Sequence, residues 1–185
     1  IQDPSDDITR HYQRIVDSTG RMSQMIDDLL SFSRLGKKPI TKTAVNLDAV
    51  ISNIVSRLKL DLGNRKVEWQ INPLGSIPGD SNLLTLALEN VLSNALKYSS
   101  VRQQAVIEIG SSRTNNQLEI YVKDNGVGFD MAYSDRLFGV FQRLHSSEEF
   151  EGTGIGLANV RQIVLKHHGN IRAEGKVNEG AVFYI

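Results

Sequence analysis

The spacing of apolar residues over the first 35 positions predicts one long helix that packs in a bundle. Apolar residues recur every seven positions along it: Ile8, Ile15, Met22 and Leu29. A seven-residue repeat is typical of coiled coils and helical bundles. The pattern stops at Gly36 and Pro39, residues that end helices. We therefore place a domain boundary here, with residues 1–38 as one unit and residues 39–185 as a second.

Beyond this boundary the pattern alternates between helix and strand periods. Helices are predicted over 47–62, 81–99 and 156–167, and a glycine-containing loop over 124–156. Strands are predicted over 43–45, 66–71, 105–111, 117–123, 170–174 and 181–185, with turns at 73–79 and 114–116. Helices grouped with hairpin-connected strands favour an α+β fold. We expect a two-layer sandwich in which helices cover one face of a mixed sheet, preceded by the long bundle-forming helix.

Composition narrows the classes of function. The 21 basic residues balance the 21 acidic ones, so nothing favours a nucleic-acid surface or a basic membrane patch. Cysteine is absent, which fits a cytoplasmic setting and excludes disulfides. No apolar run approaches the ~18–20 residues of a membrane span. The chain starts without Met and stops on an apolar AVFYI run, so we interpret it as a piece of a longer protein.

The helix over 81–99 carries a polar face with possible metal chemistry. Asn90, Asn94 and Lys97 are spaced i, i+4 and i+7, which places them on one side of a helix. A carboxamide oxygen is a suitable Mg²⁺ ligand, and a lysine one turn away can meet phosphate. The same spacing is equally consistent with a solvated helix face, so this segment alone decides nothing.

A second segment, Asp-Asn-Gly-Val-Gly-Phe, begins at Asp124 where a predicted strand ends. Gly126 and Gly128 permit positive φ or a close approach of backbone to a ligand. The Asp124 carboxylate could accept a hydrogen bond from an exocyclic amine such as that of adenine. The alternative is an ordinary turn, since Asn-Gly is a common turn dipeptide.

A third segment, Gly152-Thr-Gly-Ile-Gly156-Leu, opens the last predicted helix. Free N–H groups at a helix N-terminus bind phosphate. Its spacing matches neither the dinucleotide fingerprint nor the P-loop. The alternative is a flexible loop. Between the last two segments, Phe138 and Phe141 stand three apart, a pattern more typical of a core than of a site.

The order of these four segments resembles the N, G1, F and G2 boxes of histidine kinases within the GHKL ATPase superfamily, over about residues 40–185. The stretch from Asp124 to Gly169 is most similar to phytochrome-associated or PAS-linked kinases. Residues 5–35, ending RMSQMIDDLLSFSRL, resemble the second helix of the dimerisation and phosphoacceptor hairpin. The resemblance implies a Bergerat-type ATP fold, ATP and Mg²⁺ as cofactors, and phosphoryl transfer to a histidine and thence to a response regulator.

The resemblance also implies roles for individual residues. Asn94 would be the Mg²⁺ ligand, while Asn90 and Lys97 would be catalytic and contact metal-bound phosphates. Tyr98 would lie beside the nucleotide and Asp124 would accept from the adenine amine. The remaining ATP-binding residues would be two glycines of the adenine pocket, a lid arginine and the phosphate loop: Gly126, Gly128, Arg143, Gly152, Thr153, Gly154, Ile155, Gly156 and Leu157. The lid would span residues 142–153. A threonine usual in the family is missing near Gly180.

One position favours a kinase over a hydrolase. Hydrolysing members of the superfamily carry a general-base Glu four residues before the metal Asn, and this chain has Asn90 there. An amide cannot take a proton from water. Glu89 is one residue away and points about 100° around the helix. The alternatives are a GHKL-type ATP-hydrolysing conformational clamp and a degenerate nucleotide-binding interaction module.

The sequence contains no His-Glu or His-Asp acceptor box of the kind found in histidine kinases. His11 falls on the bundle seam and is interpreted as structural. His145, His167 and His168 are expected to be surface residues. We therefore expect the acceptor histidine upstream of Ile1, and a homodimer formed through the N-terminal helix in the whole kinase.

Overall fold

The computed structural model describes residues 4–37, 39–114, 117–146 and 149–185. The predicted features that fall outside this description are residues 1–3, the boundary residue Lys38, Asn115 and Asn116 of the predicted turn, and Ser147 and Glu148 of the predicted lid. No described helix is both long enough and apolar enough to cross a membrane.

The predicted N-terminal helix is confirmed as α1 (Pro4–Lys37). The residues of its seven-residue repeat are exposed, from 70% at Ile8 to 43% at Leu29. The end of the helix behaves differently, because Leu35 is 9% exposed and belongs to the main hydrophobic core. Helix α1 therefore docks by its C-terminal end and leaves its apolar stripe uncovered.

After α1, the described residues form three further α-helices, a five-stranded mixed sheet and a small two-stranded sheet. The helices are α2 (Leu47–Leu60), α3 (Ser81–Tyr98) and α4 (Gly156–Lys166). The strands are β1 (Thr43–Asn46), β2 (Lys66–Ile71), β3 (Ser76–Gly79), β4 (Gln104–Thr114), β5 (Gln117–Asp124), β6 (Arg172–Lys176) and β7 (Gly180–Tyr184). The sheet order is β2-β4-β5-β7-β6; only β2 and β4 pair in parallel, and the other neighbours are antiparallel.

The alternation of side chains along the central strands creates the two layers. Ile107 and Ile109 of β4 and Val122 of β5 are fully buried in the same core as α3. On the opposite face of these strands, the Tyr121 hydroxyl donates to the Glu108 carboxylate at 2.8 Å. One face of the sheet is therefore apolar and covered by helices, while the other is polar. The predicted α+β sandwich is confirmed.

The segment predicted as turns at 73–79 contains a strand that sequence reasoning missed. Strand β3 pairs antiparallel with β1 in a separate two-stranded sheet, with Val45 opposite Ile77. The prolines and glycines of this segment, among them Pro78, are typical of turns. A proline is tolerated here because a two-stranded sheet is all edge and need not bond every N–H group.

The long loop after β5 also contains local structure, a 3-10 helix over Met131–Arg136. Its start is capped by Asp130, whose carboxylate accepts from the Ala132 N–H at 2.9 Å. Strand β6 begins two residues later than predicted, at Arg172.

The cap of α3 generates a prediction about stability. Asp80 is 7% exposed; its Oδ1 accepts from the N–H groups of Asn82 and Leu83, and its Oδ2 accepts from the Thr41 N–H. Asp80→Ala leaves these donors unpaired, so we expect the free energy of unfolding to fall by about 2 kcal/mol in urea denaturation. Ser81→Ala, at the exposed next position, is the control; equal effects of both variants would contradict this role of Asp80.

Candidate functional site

Asp124 lies at the end of a cavity between the sheet, the C-terminal end of α3 and the lid. It is the last residue of β5, where it is paired with Ile107 of β4 and Ala181 of β7. It is 4% exposed, and its Oδ1 accepts from the Gly126 N–H at 2.8 Å. The residues lining this adenine-side cavity are Tyr98, Asp124, Gly128, Phe129, Leu137, Gln142, Arg143, Leu144, His145, Leu157, Ala181 and Phe183.

Burial changes the chemistry of this carboxyl group. It raises the pKa of Asp124 from 3.8 to about 6, although backbone N–H groups at Gly126 and Ala181 oppose the shift. Because the folded-state pKa is the higher one, ionisation costs the folded chain stability as the pH rises through this interval. A buried anion with few donors is suited to accept a hydrogen bond from an amine in the cavity.

The glycines after Asp124 are required by the backbone. Gly128 has φ +61°, and a Cβ there would lie 2.0 Å from the Lys176 carbonyl oxygen. A Cβ at Gly126 would lie 2.6 Å from the carbonyl oxygen of Tyr98, the residue that ends α3. Of the two, Gly128 lines the cavity and Gly126 does not, and their predicted part in an adenine pocket stays a prediction.

Sequence reasoning missed Arg102, which braces the same loop from outside the cavity. Its Nε donates to the Asn125 carbonyl at 2.7 Å, and its Nη2 donates to the carbonyls of Gly126 and Asn178 at 2.9 and 2.5 Å. The side chain of Asn125 adds two hydrogen bonds to the backbone of β4. No signal in the sequence marks Arg102, because its partners are 23 to 76 residues away.

The lid closes over the cavity through an aromatic cluster formed by Tyr98, His145 and Phe150. The three ring centroids are 5.0 to 5.5 Å apart, and Phe150 is 8% exposed. A His145 ring nitrogen lies 2.9 Å from the Gly128 carbonyl oxygen. The prediction of a surface residue is therefore wrong for His145. It is wrong for His167 as well, whose Nε2 accepts from the Asp80 N–H, while His168 is exposed as expected.

Arg143 joins separate parts of the lid by hydrogen bonds from its guanidinium group. Its Nη1 donates to the Gly152 carbonyl at 2.7 Å, and its Nη2 donates to the carbonyls of Ser146 and Phe150. The predicted phosphate contact is not tested by this arrangement. Arg143 does line both cavities of the site, so its charge lies at their junction.

A second cavity continues from the first toward α1. The residues lining this phosphate-side cavity are Asp28, Ser31, Leu86, Asn90, Ser93, Asn94, Lys97, Tyr98, Leu137, Gln142, Arg143, Glu151, Gly152, Thr153, Gly154, Gly156, Leu157 and Asn159. As predicted, Asn90, Asn94 and Lys97 face the same side of α3. Tyr98, Leu137, Gln142, Arg143 and Leu157 belong to both cavities, so a ligand with an apolar ring and a polar tail could extend through them.

Lys97 lines this cavity together with Arg143, and its Nζ donates to the Glu151 carbonyl at 3.1 Å. Burial, together with the positive charge of Arg143, lowers the pKa of the Lys97 ammonium. A nearby anion would favour the charged form again. The position of this lysine suits a phosphate group.

The glycine-rich loop packs against α3 at its first and last glycines, and a Cβ at Gly152 would lie 3.2 Å from the Lys97 Nζ. A Cβ at Gly156 would lie 2.7 Å from the Asn90 Oδ1, and Gly154 has φ +76° with the Gln142 carbonyl nearby. Ile155 is fully buried in the protein and lines neither cavity, so its side chain belongs to the packing of the loop, and its predicted part in ATP binding stays a prediction. Thr153 lines the cavity, but its hydroxyl donates to Asp28 of α1 at 2.6 Å.

Asn159 of α4 is a further residue that sequence reasoning missed. It lines the phosphate-side cavity, is 9% exposed, and its Oδ1 is buried without a hydrogen-bond partner among the described residues. A buried polar oxygen without a partner costs about 1–3 kcal/mol. The signal was an amide between Ala158 and Val160, on the buried side of a helix.

Known proteins similar in sequence to this chain include sensor histidine kinases. The family model described as histidine kinase-, DNA gyrase B- and HSP90-like ATPase matches residues 79–185. Cyanobacterial phytochrome A of Nostoc sp. is 32% identical over 169 residues, which are 91% of this chain and 22% of that protein. Sensor-like histidine kinase SenX3 of Mycobacterium tuberculosis is 30% identical over 187 residues, 98% of this chain and 45% of that protein.

Solved structures share the fold. The mycobacterial sensor histidine kinase MprB superposes with a TM-score of 0.65 at 26% identity, covering 78% of this chain and 95% of that one. Histidine kinase ThkA, in a complex with response regulator protein TrrA, superposes with a TM-score of 0.71 at 18% identity, covering all of this chain and 52% of that one. The chain thus spans less than half the length of the two curated relatives.

The raised pKa of Asp124 predicts how ADP affinity depends on pH. Above about pH 6 the carboxylate is ionised and accepts the amine hydrogen bond; below it the group is protonated, so affinity should fall. Asp124→Asn should bind roughly ten to a hundred times more weakly at neutral pH. The ADP affinity of this variant should also show no change centred near pH 6. Calorimetry between pH 5 and 8 measures both, and the ionisation of ADP is common to both proteins. An unchanged affinity would remove Asp124 from the site.

The brace formed by Arg102 gives a second prediction. Arg102→Lys keeps the charge but replaces two separate donor atoms, Nε and Nη2, by a single ammonium nitrogen, so the brace is weakened and ADP affinity should fall roughly tenfold. In this variant the backbone amides of residues 125–128 should exchange their hydrogens faster than in the wild-type chain. Arg113→Lys, the same change at an exposed position of β4, is the matched control. Equal behaviour of the two variants would show that the loop needs no such brace.

Proposed function

The chain belongs to the histidine kinase-, DNA gyrase B- and HSP90-like ATPase family, and we propose that it is the catalytic module of a sensor histidine kinase. In this role it transfers the γ-phosphoryl group of ATP to a histidine of a dimerisation hairpin. The predicted family and the predicted use of ATP are confirmed by the family match. The activity of the whole protein, its acceptor and its partners are parts of the proposal.

The observation that carries the proposal is the continuity of the two cavities. Asp124 marks the end of one, and the amides of Asn90 and Asn94 with Lys97 line the other. An adenine amine at Asp124 would direct the phosphates of the same nucleotide along α3 toward Lys97. The distribution of charge along the site therefore fits a nucleoside polyphosphate.

The residues of α3 and the lid would act mainly by positioning the phosphate groups of the nucleotide. A bound Mg²⁺ would supply positive charge to the phosphate groups. The Asn94 carboxamide would hold this ion, as a neutral oxygen ligand. Lys97 and Asn90 would orient the terminal phosphoryl group, and the N–H groups of the glycine-rich loop would contact phosphate oxygens. The lid would exclude water from the reacting atoms.

Hydrolysis of ATP is disfavoured by the geometry around position 90. The amide of Asn90 donates to the Leu86 carbonyl at 2.8 Å and has no basic group to accept a proton from water. Glu89, the nearest carboxylate along α3, pairs with Arg57 of α2 at 3.2 Å and lines neither cavity. This favours a kinase over an ATP-hydrolysing clamp.

The partners follow from the same role. We infer that the kinase forms a homodimer through the exposed stripe of α1, passes its phosphoryl group to a response regulator and works in the cytoplasm. A complex of ThkA with a response regulator supports this partner by analogy of fold. A degenerate module that only binds nucleotide is the second candidate, and the intact set of Asn94, Asp124 and the loop glycines argues against it.

The proposal predicts that the chain alone binds ATP without labelling itself. None of its four histidines has an adjacent acid, and the position four residues before Asn94 holds the amide of Asn90 instead of a general-base glutamate. With γ-labelled ATP and Mg²⁺ we expect no stable label and little phosphate release. Fusing a phosphoacceptor helix with a His-Glu box ahead of Ile1 should produce acid-labile, base-stable label, as expected of a phosphoramidate.

Two controls separate the candidates. Asp124→Asn in the fusion should slow labelling strongly at low ATP concentration, because the variant binds the nucleotide roughly ten to a hundred times more weakly. His11→Gln should change nothing. Label on the unfused chain that disappears in His11→Gln would show that the acceptor is already present. Steady phosphate release would favour the hydrolysing clamp, and absence of ATP binding would overturn the proposal.

A further inference from the structure

Helix α1 reaches into the phosphate-side cavity. Asp28 and Ser31 of α1 line it together with Asn90, Asn94 and Lys97 of α3. Two of the residues lining this cavity are acidic, Asp28 and Glu151. The side chain of Glu151 is exposed on the lid, whereas that of Asp28 is half-buried. A carboxylate from the dimerisation-type helix thus lies where the proposed function requires phosphate.

This carboxylate is held by the phosphate loop itself. The Thr153 hydroxyl donates to the Asp28 Oδ2 at 2.6 Å, although 125 residues separate the two in sequence. A hydrogen bond to a charged group is stronger than one between neutral partners. The bond therefore couples the position of α1 to the conformation of the loop.

The same end of α1 is docked at a second point. The Gln162 side chain of α4, oriented to satisfy both of its amide atoms, donates to the Phe32 carbonyl at 3.1 Å and accepts from the Gly36 N–H at 3.3 Å. Leu35 is buried in the core. These contacts keep Asp28 beside the cavity as long as α1 stays docked.

We propose that Asp28 is a specificity-determining residue, through which the docked arrangement of α1 binds a nucleoside diphosphate in preference to the triphosphate. The inference rests on the proposed function. A third phosphoryl group adds negative charge at the end of the cavity, where it meets the Asp28 carboxylate. It also competes for the Thr153 hydroxyl. Binding of the triphosphate therefore breaks the bond between Asp28 and Thr153 and releases α1.

The coupling is reciprocal by thermodynamic necessity. If undocking of α1 raises the affinity for triphosphate, triphosphate must favour undocking by the same factor. The product diphosphate, after transfer of the γ-phosphoryl group, lets Thr153 return to Asp28. A kinase built this way frees its hairpin helix when loaded and recaptures it when the phosphoryl group has left.

The experiment compares the affinities of ADP and of an ATP analogue with a non-hydrolysable β–γ bridge, both with Mg²⁺, by calorimetry. Asp28 accepts from Thr153 through Oδ2 and from Gln24 through Oδ1, so Asp28→Asn keeps the shape and one of the two acceptor oxygens but removes the charge. We expect it to shift the ratio of the two affinities toward the analogue by about tenfold. Asp27→Asn, the same change at the exposed neighbour on α1, should leave the ratio unchanged.

Hydrogen exchange over residues 25–36 supplies a readout that does not depend on the ratio. In the wild-type chain the analogue should speed exchange there and ADP should not. Thr153→Val, which removes the hydroxyl at nearly constant shape, should speed exchange without any nucleotide. The role of Asp28 would be overturned if Asp28→Asn and Asp27→Asn had equal ratios of ADP affinity to analogue affinity. It would also be overturned if the analogue left the hydrogen-exchange rate of residues 25–36 unchanged. A wild-type chain that binds neither nucleotide overturns the proposed function as well.

Discussion

A carboxylate buried at the end of a central strand is the constraint on which the rest of the site depends. Asp124 is 4% exposed, and an anion in such surroundings loses most of its hydration. The N–H groups of Gly126 and Ala181 offset only part of this cost, so its pKa remains raised. An amine donor on a ligand would supply what the backbone does not. The property that makes Asp124 unfavourable in the free chain thus makes it selective for such a ligand.

Periodic features of the chain could be predicted, and contacts between distant segments could not. The i, i+4, i+7 spacing of Asn90, Asn94 and Lys97 placed them on one face of α3, because helix geometry is local. The glycines after Asp124 were identified because a missing side chain is visible in the sequence. The brace at Arg102 and the packing of Phe150 on Tyr98 join residues 23 or more positions apart. Only the tertiary fold brings such pairs together.

Helix α3 shows how one local rule serves both the core and the site. Val91 and Leu92 are fully buried on one side, while Asn90 and Asn94 face the cavity on the other. The offset of about 100° between adjacent residues also turns the side chain of Glu89 away from the cavity. Its carboxylate meets Arg57 of α2 instead of the cavity. A shift of one residue along a helix therefore separates a structural ion pair from a catalytic base.

The cations that would meet phosphate hold the lid in its closed form. Arg143 donates to three lid carbonyls, and Lys97 donates to the Glu151 carbonyl. Charge-assisted bonds of this kind are stronger than those between neutral groups, so the closed lid is stabilised without a ligand. Phosphate oxygens, being charged acceptors, would draw the same donors away from these carbonyls. Entry of phosphate and release of the lid are therefore linked, because both depend on the same N–H groups.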